Sequence, residues 1–129
     1  MNSLRRTWLM LIALVEIACY ELIVWRRGFG PILSRLRRQS ICERPANPET
    51  EQAICNAVHL ATCFYWKPVL CLQRAVCTVR LLRRYGIVAR LMIGYRPSPF
   101  FSHAWVEVEG RVVYGSSAYK KRLYLLHVA

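Results

Sequence analysis

The chain contains no aspartate, and its 7 acidic residues face 19 lysines and arginines over 129 positions, a net charge of +12. Nothing acidic follows Glu109, so a histidine on a late strand has no downstream carboxylate behind it. The stretch from Lys67 to Arg96 also carries no acid. An arginine-rich surface of this kind is either simply solvated or meets an acidic peptide, an anionic membrane face or nucleic acid. Aromatic platforms interleaved with the basic residues are missing, as are recognition motifs, so nucleic acid is not the expected partner. The 6 cysteines lack the tight, loop-rich spacing of a secreted disulfide scaffold. Several fall inside apolar helical patterns, which fits free thiols in a reducing, cytoplasmic compartment. No internal repeat or low-complexity segment occurs. With 55% apolar residues and a positive mean hydropathy, the chain is not of the disordered class, and its length allows one core but not two.

What is present begins with "TWLMLIALVEIACYELIVW", which has the length and flanking arginines of a membrane span or signal. Glu16 and Glu21 oppose both readings, because inserting an acid at a helix centre costs about 2.5–3.5 kcal/mol. Residues 4–25 are therefore expected as an amphipathic helix largely buried in the domain, with membrane contact through 4–25 the lesser reading. "RRGFGP" breaks that helix, and "ILSRLRRQ" makes a short basic one. Asn47 and Pro48 then open a third helix, with Glu49 and Glu51 at its positive end, running to about Cys63. Pro68 resets the chain. "CLQRAVCTVRLLRRYG" has Leu72, Ala75, Val76, Val79 and Leu82 at helical spacing and ends at Gly86. "IVARLMIGY" reads as a central strand. "SHAWVEVE" alternates, with His103, Trp105 and Glu107 on one face and Ala104, Val106 and Val108 on the other. Gly110 allows a hairpin into "RVVYG", while the tail reads equally as strand or helix. The order, helices followed by an antiparallel β-meander, is α+β. Residues 1–44 form an N-terminal helical region and 45–129 the core of one compact unit.

The chemistry concentrates in this second half. A cysteine is a strong nucleophile as thiolate, and the amides and positive dipole end at a helix N-terminus favour that anion. Cys71 occupies such a position, and the same amides donate to a developing oxyanion. A histidine on a neighbouring strand, here His103, serves as base to the thiol and acid to the leaving amine.

The pieces "CL-x-R-A" at Cys71, "LLRRYGI-x-ARLMIGY", and "HAWVE" at His103 closely resemble the transglutaminase-like (papain-like cysteine protease) domain of lasso-peptide leader peptidases, the microcin-processing type. The basic helical half resembles the remainder of their short, stand-alone form. The resemblance implies a cysteine peptidase that removes the leader from a ribosomally made precursor, with Cys71 as nucleophile and His103 as general base. It implies a PqqD-like leader-binding protein that delivers the precursor peptide, a separate ATP-dependent macrolactam cyclase, and no metal or organic cofactor.

The family pattern usually seats an Asp on the strand after the histidine, and here that seat is Gly115. A turn at Glu109-Gly110 sets Ser116 opposite His103, or position 115 if the register slips by one. Three readings follow: Ser116, Tyr114 or a backbone carbonyl orients the imidazole; Glu107 curls back from the same strand face to do so; or activity is lost and the fold is a binding module that scaffolds the precursor or its partner enzymes. A second rival is a basic helical protein associated with membrane or nucleic acid. Trp105 and Gln73 are candidates for a substrate groove, Trp105 equally for the core. Cys55, His59 and Cys63 share a helix face but cannot converge tetrahedrally on a metal, so core packing is expected of them. Cys77 reads as filler, and the Arg80–Arg83–Arg84 cluster as the wet face of its helix.

Overall fold

The computed structural model describes residues 3–28, 30–38, 48–66, 69, 71–97, 100–108, 111–114 and 124–128. Four helices come first: α1 (Ser3–Arg27), α2 (Gly30–Arg38), α3 (Pro48–Phe64) and α4 (Cys71–Arg84). Four strands follow: β1 (Ala89–Pro97), β2 (Phe100–Val108), β3 (Arg111–Tyr114) and β4 (Tyr124–Val128). The fold is α+β. The strands form one antiparallel sheet in the order β3-β2-β1-β4, so the meander β1-β2-β3 is extended by the tail, which the sequence left undecided.

The helix ends follow from local chemistry. Arg26 and Arg27 occupy the negative end of α1, and Gly28 closes it at φ 79 with its N–H on the Val24 carbonyl at 3.0 Å. Gly86, at φ 81, closes α4 in the same left-handed conformation. Its N–H reaches the Arg83 carbonyl and that of Ile87 reaches Leu82, the paired bonds of a Schellman cap. Pro48 opens α3 with Glu49 and Glu51 in the first turn.

α4 is the middle of the molecule. It packs on β1 and β2 on one side and on α1 and α3 on the other. Ala75, Val76, Val79 and Leu82 of α4 share one core with Ile17 of α1, Val58 of α3, Leu91 of β1 and Val106 and Val108 of β2. Each fully buried Val or Leu of this kind contributes roughly 1.5–3 kcal/mol.

Two expectations need correction. α1 is not largely buried: only Leu9, Ala13, Glu16, Ile17 and Tyr20 are, and its outward face is open. Its acids both point into the domain. Glu16 is buried and ion-paired with Arg80 Nε at 3.1 Å and Arg84 at 2.8 Å, and Glu21 accepts a hydrogen bond from the Tyr65 hydroxyl. The cost that argued against a membrane is therefore met inside the protein. The arginine cluster is likewise not simply wet. Arg83 is buried, donating to the Ala89 carbonyl at 3.0 Å and to the Leu36 carbonyl at 2.6 Å, so it ties α4 to β1 and to α2. Burial first, and the charge of Arg90 second, pull its pKa down.

Candidate active site

The fold sets the levels of the two principal residues. Arg83 pins the C-terminal end of α4 to the start of β1. From there the 14 residues of α4 rise about 20 Å to Cys71. β1 climbs back about 17 Å from Ala89 to Gly94, which pairs with His103 of β2. Cys71 and His103 thus stand at the same end of the helix-on-sheet unit. Cys71 is exposed and free in the first turn of α4.

Exposure separates this thiol from two buried ones. Cys77 is buried, and burial, then the charge of Glu16, pushes its pKa up to about 12. Cys55 is pushed up to about 11 by burial and Glu51, and donates to the Val113 carbonyl at 3.5 Å. Neither is a nucleophile in this setting. His59 and Cys63 do not join the core as expected; both face solvent. Among the described residues no three ligands are grouped to hold a metal.

His103 is half-buried with Nε2 shut off from solvent, and burial lowers its pKa from the ordinary 6.5. The imidazole is therefore neutral at neutral pH, the form a base requires. It stacks on Trp105, with ring centroids 6.4 Å apart and planes inclined by 18°. The indole N–H of Trp105 in turn donates to Glu107 Oε2 at 2.7 Å. The three residues form a ladder along one face of β2, beside Gly94, Met92 and Arg90 of β1. Ala104, Val106 and Val108, on the opposite face, enter the core shared with α4. His103 is thus level with Cys71 but leaves β2 on the side away from that core.

The expected supports resolve differently. Glu107 Oε2 accepts from the indole of Trp105, on which the imidazole rests. Trp105 is 2% exposed, so it is a packed buttress and not the floor of an open groove. Gln73 faces inward: it is buried, and its Nε2 donates to the Ile17 carbonyl at 3.1 Å, joining α4 to α1. Gly115 and Ser116 lie outside the described residues, as does the Glu109-Gly110 turn. A bulge between Val106 and Glu107 shifts the β2–β3 pairing, with Glu107 opposite Val112 but Val106 opposite Tyr114, so simple hairpin counting no longer sets Ser116 across from His103.

The sequence reading missed Tyr20. This α1 residue is buried beside the α4 cysteines, and its pKa is raised to about 12 by burial, then by Cys77 and Cys71. Its spacing from Ala13 and Ile17 carried the signal, since all three fall on the inward face of α1.

Comparison with known proteins adds three findings. The family model described as Transglutaminase-like superfamily (Transglut_core3) matches residues 17–126. The Microcin J25-processing protein McjB of Escherichia coli is 46% identical over 43 residues, which is 33% of this chain and 21% of that protein. No solved structure matches.

Proposed function

The chain belongs to the transglutaminase-like superfamily, and from that premise we propose that it is a cysteine endopeptidase that removes the leader from a ribosomally made lasso-peptide precursor. The observation that carries this reading is the exposed Cys71 opening α4, level with the histidine of the strand on which α4 packs. The likeness to a microcin-processing protein over a short stretch supports the choice of substrate class.

In the proposed reaction, His103 takes the Cys71 proton and the thiolate adds to the scissile carbonyl. Amides of the first turn of α4 receive the developing oxyanion. The imidazolium then protonates the departing amine, and water, deprotonated by His103, releases the leader from its thioester. Catalytic hydrogen bonds often tighten only with substrate bound. For that step the imidazole has to turn from its stack on Trp105, on the face of β2 away from α4, toward the first turn of α4. A PqqD-like protein would present the leader, and an ATP-dependent cyclase would close the freed core peptide, in the cytoplasm.

The test is mass spectrometry of precursor incubated with the protein and the leader-binding partner. Cleavage that disappears in Cys71→Ala supports the reading; cleavage that survives in that variant ends it. A second reading, a non-catalytic module that binds the precursor, is favoured by the placement of His103 on the face of β2 away from α4. It predicts that wild-type protein binds precursor and leaves it intact.

A further inference from the structure

We propose that the outward face of α1 seats the protein on an anionic membrane surface, with the helix lying in the plane of the interface. From Trp8 to Trp25 every exposed residue of α1 is apolar or a cysteine: Trp8, Leu11, Val15, Ala18, Cys19, Leu22, Val24 and Trp25. The stripe is about 27 Å long. It is far larger than the scattered apolar residues of an ordinary wet surface. Arginines bound it at both ends, Arg5 and Arg6 before it, Arg26 and Arg27 after it, all exposed. Phe64 and Trp66 are exposed on either side of Tyr65, which bonds to Glu21, so they lie near the same end as Trp25.

Charge decides the occupant. Glu16 and Glu21 are turned inward onto Arg80, Arg84 and Tyr65, so the outward face carries no acid. A second copy docked on this face sets arginines against arginines, whether the two helices run parallel or antiparallel. An anionic lipid surface complements those arginines, and tryptophans at the two ends suit the water–lipid boundary. Where the stripe ends, a cleft of about 590 Å³ between α1 and α2 is lined by Leu22 and by Arg26, Arg27, Arg35 and Arg80, with no acid in its lining. Arg80 is committed to Glu16, so the cleft offers a lipid headgroup the guanidiniums of Arg26, Arg27 and Arg35 beside an apolar wall. A transmembrane path is disfavoured because it would tear Glu16 from Arg80 and Arg84. By length and composition α1 is capable of crossing, but 28% of its most apolar window is packed inside the domain.

The full chain should cosediment with phosphatidylcholine vesicles doped with phosphatidylglycerol and not with phosphatidylcholine alone. Val15→Glu, at an exposed site, should abolish binding while circular dichroism and Tm stay unchanged. Arg26→Gln with Arg27→Gln should weaken binding about 10-fold or more, and added salt should do the same. Failure to bind the doped vesicles, or binding that Val15→Glu leaves intact, would overturn the proposal. So would a dimer in light scattering that Val15→Glu dissolves, since that outcome gives the face to a second copy. The result stands apart from whether Cys71 cleaves a peptide.

Discussion

Alternate residues of β2 do different work. Ala104, Val106 and Val108 enter the core against α4, where their identity matters only as volume. His103, Trp105 and Glu107, one step out of phase, build a stack of imidazole, indole and carboxylate on the other face. One face fixes where the strand lies; the other carries its chemistry. The lesson is that a period of two lets a strand be anchored and functional at once, and that the two roles should separate under mutation.

The largest separation is expected at His103. His103→Ala should lower precursor cleavage by about 10³-fold or more, as removal of a general base does, with little change in thermal stability. Parallel cleavage assays and melting curves would check this, and equal losses in both would erase the distinction between the faces. Val106→Ala should do the reverse, costing about 2 kcal/mol in urea unfolding while the folded fraction cleaves normally. Smaller still is Glu107→Gln. It keeps an acceptor for the indole but removes the charge, so a loss of about 1 kcal/mol is expected. If Glu107 acts through Trp105, kcat should fall with KM unchanged; a pure stability effect would leave kcat alone.

The smallest effect is a pH dependence. Burial lowers the pKa of His103, so below the unfolded value of 6.5 the unfolded chain binds more protons than the native one. Stability is then complete above about 6.5 and is lost progressively as pH falls through the lower native pKa. His103→Phe should flatten that part of the curve, seen as Tm against pH, and an unaltered curve would assign the acid sensitivity to other groups.

Much of this plan was legible because it rests on local signals. Pro48 and Gly86 mark helix ends through backbone geometry that any tertiary setting respects, and the alternation of "SHAWVEVE" gives the two faces of β2. The direction of α1 was not legible, because apolar residues surround that helix on all sides and only the packing decides which side is inward. In the sequence Glu16 stands only as a penalty, since its partners, Arg80 and Arg84, are remote along the chain. Gln73 and Arg83 were misplaced for the same reason: a polar side chain is buried when a distant carbonyl is waiting, here Ile17 for one and Leu36 for the other. The bulge at Val106–Glu107 defeats register counting, which assumes an unbroken ladder.

The central claim is the partnership of Cys71 with His103, and thiol reactivity tests it most directly. Cys19 and Cys63 are exposed thiols in the same molecule and serve as internal standards. Limited alkylation with iodoacetamide at neutral pH, read peptide by peptide, should find Cys71 modified about 10-fold faster than either. His103→Ala should remove that lead. A Cys71 that reacts no faster than Cys19 and Cys63, and is indifferent to His103, would contradict the account.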